Sequence, residues 1–288
     1  MNTQWLDTKE YPFSANYFDT GTARMHYIDE GAGEPLLFVH GTPSWSFDFR
    51  HLVRDLRSTY RCIAVDHIGF GLSDKPRHYD YSVQNHSATL EKFILHKNIR
   101  DITLVLHDFG GPIGFDVALK HPGRIKRMVI LNSWLWSSRE EEAYRKMSKV
   151  LRSPLLPFLY RYFNFSARFV LPASFGEKKI TSRILKQYTR PFANRNQREG
   201  TLAFARSLLQ DQDRFESLWQ RCTALSARPV LFAWGMKDPV IGPQYLQKFL
   251  SGFPGAEVLK IASAGHFPQE EEPEMLSQAI RRFLEKTE

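Results

Sequence analysis

The chain has 288 residues, of which 42% are hydrophobic and 14% aromatic, which suffices for a sizeable core and excludes a disordered protein. Its net charge of +8 lies in one segment, because residues 137–220 hold 16 basic and 8 acidic side chains whereas the remainder holds 23 of each. The two cysteines lie far apart, which argues against a disulfide scaffold. The N-terminal stretch is polar and no run of about 18 apolar residues occurs, which argues against a membrane span. Together these features predict a cytoplasmic protein.

Short apolar runs rich in β-branched residues alternate with helical patterns along the chain. The alternating segment 23–29 predicts an antiparallel edge strand. Six further runs predict strands buried on both faces: 35–40, 61–66, 102–107, 127–132, 229–234 and 256–262. Apolar residues at one-face helical spacing predict helices between the first four runs. This alternation predicts an α/β fold with a mainly parallel sheet covered by helices.

The last predicted helix spans roughly 273–286. Pro273 opens it, and basic residues such as Arg282 lie toward its end, which suits the helix dipole. We interpret the preceding glutamates, 270–272, as the acidic start of this helix and not as a metal site.

The strand rhythm breaks between residues 134 and 220, where the sequence is helical, basic and aromatic. We interpret this segment, called the cap below, as a helical insertion at the carboxyl edge of the sheet, where such sheets bind ligands. Residues 1–133 and 221–288 then form the core. The charge of the cap leaves two interpretations open, a solvated basic face or weak contact with an anionic surface. No nucleic-acid motif accompanies the charge.

Three residues that suit nucleophilic catalysis follow predicted strands. Asp108 lies in "LVLHDFGGPIGF", a strand–turn–helix layout in which many hydrolases carry a serine. Asp238 follows a later strand in "FAWGMKDPV", and His266 follows the last in "ASAGHFPQ". Nucleophile, acid, histidine is the chain order of the α/β-hydrolase triad. No G-x-S-x-G occurs, so the sequence predicts Asp108 as the nucleophile.

The loop "HGTPSWSF" after a central strand supplies a further part. We expect the backbone N–H groups of Thr42 and Phe109 to form an oxyanion hole. The segment "DHIGFGLSD" lacks the third glycine of a dinucleotide-binding fingerprint, and there is no Walker loop, zinc spacing or H-E-x-x-H. The sequence therefore predicts no cofactor and no metal.

Several motifs together resemble the haloalkane dehalogenase branch of the α/β-hydrolase superfamily, and the likeness extends over nearly the whole chain: "HGTPSWSF", "DHIGFGLSDKP", "VLHDFGGPIGF", "NSWLW", "YTRPF", "WGMKDPV" and "AGHFPQEEEPE". Epoxide hydrolases and the β-lactone-processing hydrolases of bacterial olefin synthesis are related. The resemblance implies an eight-stranded, mostly parallel sheet with an inserted helical cap. It also implies that Asp108 attacks, His266 activates water and Asp238 orients His266. A subgroup has its acid after the sixth strand, where this chain reads "LNSW" without a carboxylate.

An aspartate nucleophile favours displacement at a saturated carbon, because attack there gives a stable alkyl ester that water can hydrolyse. The resemblance implies a halide cradle of N–H donors, but Phe109 and Thr42 stand where dehalogenases carry tryptophan and asparagine. Trp134 and Trp136 are the nearby candidates for the leaving-group pocket. Tyr188, in "YTRPF", is a further candidate, since epoxide hydrolases use tyrosines of the cap to protonate the alkoxide.

The sequence thus predicts a haloalkane dehalogenase-like hydrolase that acts with water on a small apolar substrate. Opening of an epoxide or a β-lactone is the alternative, and a non-catalytic receptor with this fold is a remote one. The oligomeric state is left open.

Overall fold

The computed structural model describes residues 3–287; Met1, Asn2 and Glu288, at the ends of the predicted core, lie outside the described residues. One sheet is built from eight strands, in chain order β1 (Asn16–Asp19), β2 (Arg24–Glu30), β3 (Pro35–Val39), β4 (Arg61–Val65), β5 (Ile102–Asp108), β6 (Ile125–Ser133), β7 (Val230–Gly235) and β8 (Glu257–Ile261). Their order across the sheet is β1-β2-β4-β3-β5-β6-β7-β8. The strands β3 to β8 are parallel, whereas β1 and β2 are antiparallel to their neighbours.

The six predicted parallel strands are confirmed as β3 to β8, but two expectations about the edges were wrong. The segment 23–29 forms β2, which is antiparallel as predicted but lies inside the sheet, because β1 pairs with its outer side. The four residues of β1 are largely solvent-accessible and carry no apolar run, so no pattern marked them. Strand β8 was expected to be buried on both faces, yet it is the other edge and is mostly accessible.

Twelve helices accompany the sheet within residues 3–287: α1 (Arg50–Leu56), α2 (Val83–His96), α3 (Gly110–Lys120), α4 (Glu142–Leu151), α5 (Leu156–Phe163), α6 (Leu171–Ala173), α7 (Ser182–Thr189), α8 (Glu199–Gln210), α9 (Gln212–Cys222), α10 (Pro243–Gly252), α11 (Pro268–Glu271) and α12 (Pro273–Lys286). The helices bury both faces of the sheet. Leu90, Ile113 and Phe249 belong to the core on one face, and Leu52 and Ile280 to that on the other. Helix α12 has the bounds that the sequence predicted.

The described residues between β6 and β7 contain helices α4 to α9 and no strand. We propose that residues 134–220 act as the cap, as the sequence indicates, although α9 crosses that boundary and packs on α3 of the core. Within residues 3–287 no helix is both long and apolar enough to cross a membrane. Cys62 and Cys222 are free and buried, as expected, and burial raises the pKa of both thiols to about 12.

The turn between β5 and α3 is tightly packed. Asp108 has a φ of +51°, a left-handed conformation that side-chain-bearing residues seldom adopt. A Cβ atom on Gly110 would lie 2.0 Å from the carbonyl oxygen of Val39, and one on Gly114 would lie 2.4 Å from the side chain of Leu106. Helix α3 can therefore approach β3 and β5 this closely only because these positions are glycine.

Replacing Gly110 with alanine should destabilise the fold by roughly 1–3 kcal/mol, because the methyl group would overlap a backbone oxygen that cannot move alone. Gly123→Ala is the matched control, since a Cβ there meets nothing within 4 Å. Urea denaturation followed by tryptophan fluorescence would give both free energies of unfolding. Equal values for the two variants would contradict the packing argument.

Candidate active site

The carboxylate of Asp108 lies at the carboxyl end of β5, inside the protein but within reach of a cavity. Its Oδ2 atom accepts a hydrogen bond of 2.7 Å from the backbone N–H of Thr42. A Cβ on Gly41 would lie 2.1 Å from that same oxygen, so only glycine lets the loop after β3 come so near. One oxygen of Asp108 is thus fixed by the loop and Oδ1 remains available.

His266 lies beyond β8, on the loop before α11, and faces both acids. Its Nε2 atom is 3.8 Å from Oδ1 of Asp108, and its Nδ1 atom is 2.7 Å from Oδ2 of Asp238. The imidazole therefore stands between two carboxylates, tightly paired with one and loosely apposed to the other. A water molecule bound near Nε2 would be close to the side chain of Asp108.

Asp238 follows β7 and is held by four donors. Its Oδ1 atom accepts the N–H groups of Val240 at 2.8 Å and Ile241 at 2.9 Å. Its Oδ2 atom accepts the side-chain amide of Asn132 at 2.9 Å in addition to His266. Burial alone would raise the pKa of Asp238, but the charge of His266 and these hydrogen bonds lower it. Asp238 is therefore a fixed negative charge.

The surrounding charges also act on His266. Burial favours the neutral imidazole, but Asp238, and then Asp108, stabilise the cation and raise the pKa of His266 to about 9. In the resting site the imidazole is therefore protonated at neutral pH. Any reaction that removes the charge of Asp108 lowers this pKa and makes His266 a better base.

A second buried pair supports the histidine loop from below, and no sequence motif indicates it. Nδ1 of His107 lies 3.2 Å from Oδ2 of Asp48, and Nε2 of His107 donates to the carbonyl oxygen of His266 at 2.7 Å. Gln269 donates to the same Asp48 oxygen at 2.8 Å. These contacts join residues up to 221 positions apart, so no local pattern could have revealed them.

Of the three glutamates before α12, Glu272 lies at the start of that helix as the sequence predicts, whereas Glu270 and Glu271 belong to α11. Glu271 is buried and accepts the N–H of Gly265, next to His266, and the N–H of Gly176 in the cap, each at 2.8 Å. Glu270 accepts two hydrogen bonds from Arg50. Glu272 accepts from Lys178 at 3.1 Å. These carboxylates fasten the histidine loop and the cap to the core.

A cavity of about 260 Å³ lies above the three charged residues and is lined mainly by apolar side chains. Asp108 and His266 form part of its wall, beside Thr42, Phe109 and Trp134. Two lining residues carry an unused donor: neither the Thr42 hydroxyl, whose oxygen is buried, nor the Trp134 indole N–H forms a hydrogen bond among residues 3–287. A polar leaving group could therefore be stabilised next to Asp108.

Two of the residues expected at the leaving group lie elsewhere. The indole N–H of Trp136 donates to Glu141 at 3.2 Å, and its ring stacks on Tyr245, which lines the cavity whereas Trp136 does not. The hydroxyl of Tyr188 donates to Asp48 at 3.1 Å and to Glu270, and the ring is fully buried. Neither side chain faces the cavity, because each already has a structural partner. Trp134 is the predicted tryptophan that does.

The site thus combines a carboxylate beside the cavity with a histidine that is paired with a second, buried acid. Such a set can form a covalent bond through Asp108 and hydrolyse it with water activated by His266. Among residues 3–287 no group of three or more histidine, cysteine or acidic side chains could hold a metal ion.

Comparisons with known proteins agree with this geometry. A family model described as alpha/beta hydrolase fold matches residues 34–273. Haloalkane dehalogenase 2 of Mycobacterium tuberculosis is 32% identical over 276 residues, covering 95% of this chain and 96% of that protein. The cis-3-alkyl-4-alkyloxetan-2-one decarboxylase of Shewanella oneidensis is 36% identical over an alignment of 292 residues, covering 98% and 92%.

Solved structures show the same fold at lower identity. The haloalkane dehalogenase DatA from Agrobacterium tumefaciens C58 superposes with a TM-score of 0.85 at 23% identity, covering 96% of this chain and 97% of its own. The haloalkane dehalogenase DbeA from Bradyrhizobium elkani gives a TM-score of 0.86 at 23% identity, covering 96% and 98%.

Replacing Asp238 with asparagine should lower the pKa of His266 from about 9, because only the weaker effects of Asp108 and Asp48 would then oppose burial. An NMR titration of the His266 imidazole would measure this. Asp116→Asn is the matched control, since Asp116 is equally buried but pairs with Lys120 and Arg214. An unchanged titration in Asp238→Asn would show that another charge sets the protonation of His266.

Proposed function

The chain belongs to the α/β-hydrolase fold family, in the branch of the haloalkane dehalogenases, and from that premise we propose that Asp108 forms an alkyl ester with its substrate which His266 then hydrolyses. The protein is a haloalkane dehalogenase-like hydrolase. The observation that carries the proposed mechanism is the position of Asp108, with Oδ2 held by the N–H of Thr42 and Oδ1 3.8 Å from His266.

In the first step Oδ1 attacks the carbon that bears the leaving group. A C–O bond forms, the carbon–halogen bond breaks, and the halide departs with the electron pair. Attack needs no base, because Asp108 reacts as a carboxylate. Oδ2, already hydrogen-bonded to Thr42, becomes the carbonyl oxygen of the ester.

In the second step water attacks the ester carbonyl of Asp108. The charge of Asp108 has been consumed, so the pKa of His266 falls and Nε2 can accept the proton of the attacking water. The tetrahedral oxygen forms at Oδ2, where the N–H of Thr42, and in our proposal that of Phe109, stabilises it. Collapse releases the alcohol, so that haloalkane and water yield alcohol, halide and a proton.

The leaving group is proposed to depart toward Thr42 and Trp134. Both residues line the cavity beside Asp108, and both carry a donor with no other partner among the described residues. A halide in an apolar cavity is stabilised strongly by each donor that reaches it. These two donors would replace the tryptophan and asparagine that the resemblance implied at positions 109 and 42.

A second candidate function is supported by the decarboxylase relatives, which are 36% and 35% identical to this chain. Attack by Asp108 on the saturated ring carbon of an oxetan-2-one would break the ring C–O bond and leave a carboxylate still attached to the substrate. Loss of carbon dioxide would then form an alkene and release Asp108. This route needs no separate halide cradle. That agrees with the presence of Phe109 and Thr42 at the two positions where dehalogenases carry halide-binding tryptophan and asparagine.

For partners and location, the proposal is a small apolar substrate together with water, in a reducing compartment such as the cytoplasm. The free buried cysteines support the compartment. The basic excess of the cap supports weak contact with an anionic surface.

His266→Gln should trap the alkyl ester, because attack by Asp108 does not need His266 but hydrolysis does. After exposure to a bromoalkane, intact mass spectrometry should show one added alkyl group, and peptide mapping should place it on Asp108. Asp108→Asn with His266→Gln is the control and should remain unmodified. Alkylation at another residue would exclude the two-step mechanism.

The proposed direction in which the leaving group departs can be tested by removing each donor. Thr42→Val and Trp134→Phe should each slow bromide release about tenfold to a hundredfold, since a donor to a charged group contributes roughly 1.5–3 kcal/mol. Matched controls are Thr103→Val, another buried hydroxyl without a partner among the described residues, and Trp136→Phe, whose indole lies outside the cavity. Both should retain wild-type rates.

The same assay separates the two candidate functions. No bromide release by the wild type, together with alkene and carbon dioxide from a cis-3,4-dialkyl oxetan-2-one, would replace dehalogenation by the second candidate. Bromide release that is unchanged in both donor variants would show that the halide leaves in another direction.

A further inference from the structure

Exposed apolar side chains are concentrated on one short part of the cap. Among residues 3–287, twelve large hydrophobic side chains are exposed, and seven of them lie between positions 150 and 170: Val150, Leu155, Phe158, Tyr162, Phe163, Phe169 and Val170. Single exposed apolar residues are ordinary on protein surfaces, but a contiguous group marks an interaction site. The rest of the described surface carries only five such side chains on well-separated elements.

Ring contacts connect these side chains to one another and to the cavity. Phe158 packs against Tyr162 and Phe163, with ring centroids 4.9 and 5.7 Å apart. Phe169 stacks on Phe165 at 5.7 Å, and Phe165 lines the cavity. Helix α5 is therefore apolar on both sides, because Leu156 and Tyr160 face inward while Phe158, Tyr162 and Phe163 face solvent.

Three of the twelve exposed residues also line the cavity: Val240 and, from the group between positions 150 and 170, Val150 and Val170. Val150 is 58% exposed and Val170 is 37% exposed, yet both belong to the cavity wall that contains Asp108 and His266. A side chain can satisfy both conditions only where the cavity meets the surface. The apolar group therefore borders the entrance through which substrate reaches the nucleophile.

The same part of the cap carries an excess of basic residues. Residues 143–176 contain six lysine and arginine residues and no acidic residue. Three of the six pair with glutamates outside this range, whereas the side chains of Lys149, Arg152 and Arg168 are exposed and form no ion pair or hydrogen bond among the described residues. Their charges are thus available to an external partner, and that partner must be anionic. Apolar rings flanked by free basic side chains are typical of surfaces that bind anionic lipid.

We propose that this part of the cap binds the surface of an anionic phospholipid membrane and holds the cavity entrance against the lipid, so that a lipophilic substrate enters the cavity from the bilayer. The docking face consists of the seven apolar side chains named above together with Lys149, Arg152 and Arg168. Lipid is favoured over a protein partner because the unpaired charges have one sign and the exposed apolar side chains lie beside the cavity entrance.

The inference rests on the proposed function only for what enters the cavity; binding to membranes is measured without any substrate. Vesicles of phosphatidylcholine alone should bind the full chain weakly, and vesicles of phosphatidylcholine and phosphatidylglycerol in equal parts should bind it strongly. High salt should reduce the difference, because it screens the basic side chains. Co-sedimentation gives the partition coefficient for each vesicle.

Variants separate the charged and apolar contributions. Lys149→Gln with Arg152→Gln should weaken partitioning into anionic vesicles roughly thirtyfold, as expected for two basic residues at an anionic surface. Lys260→Gln with Arg282→Gln is the matched control, since it removes the same charge from exposed positions of the core. Phe158→Ser, Phe163→Ser and Phe169→Ser should each lower partitioning about tenfold, and Met275→Ser, exposed on α12, should not.

The phenylalanine variants should keep wild-type turnover of a short, water-soluble substrate, because none of the three rings lines the cavity. They should lose turnover of a long-chain substrate presented in vesicles. Membrane binding without turnover of any substrate would refute the proposed function and leave the docking face intact. Equal losses in the docking-face and core charge variants, or no vesicle binding at all, would overturn the docking face. A dimer in light scattering that Phe158→Ser abolishes would overturn it in favour of self-association.

Discussion

A buried row of three charged side chains, Asp108, His266 and Asp238, is the constraint on which the rest of the site depends. Charges inside a protein are tolerated only when they are paired and hydrogen-bonded. The fold meets this requirement with backbone N–H groups on both carboxylates and with the amide of Asn132 on one of them. The left-handed conformation of Asp108 and the lack of a side chain at Gly41 both follow from the need to bring the first carboxylate to the loop after β3.

The electrostatics of this row also set the order of events. Two acids hold the imidazole as a cation, so the resting site is unsuited to removing a proton from water. In the proposed mechanism, forming the ester neutralises Asp108, and His266 becomes a base only once there is an ester to hydrolyse. The charge of His266, and then the hydrogen bonds that Asp238 accepts, lower the pKa of Asp238. One covalent bond thereby changes the chemistry of a neighbour that it does not touch.

Much of this arrangement could be predicted because it is local in sequence. Each member of the row follows an apolar strand, and the strands β3 to β8 are marked by their composition. The supporting residues could not be found in this way. Asn132 lies in "LNSW", a segment without a carboxylate. Nothing in that segment indicates that the amide is a partner of Asp238, which lies 106 residues away. Glu271 looked like a helix start because its partners, Gly176 and Gly265, lie on other loops. Tyr188 and Trp136 lie in motifs that predict a pocket. Both side chains instead donate hydrogen bonds to acidic residues and are buried in the interior.

The connection between the cap and the histidine loop has a consequence for motion. The N–H of His266 donates to the carbonyl oxygen of Ser174 at 2.8 Å, and the N–H of Glu177 donates to that of Ser263 at 2.9 Å. Glu271 bridges the same two segments. Lifting the cap as a rigid hinge would therefore pull the imidazole away from Asp238 and dismantle the base. Entry of substrate and exit of product must instead depend on rotamer changes at the cavity entrance. Such changes are faster and smaller than the opening of a domain. Turnover of bulky substrates is then governed by the width of the entrance between side chains and not by a rigid-body movement of the cap.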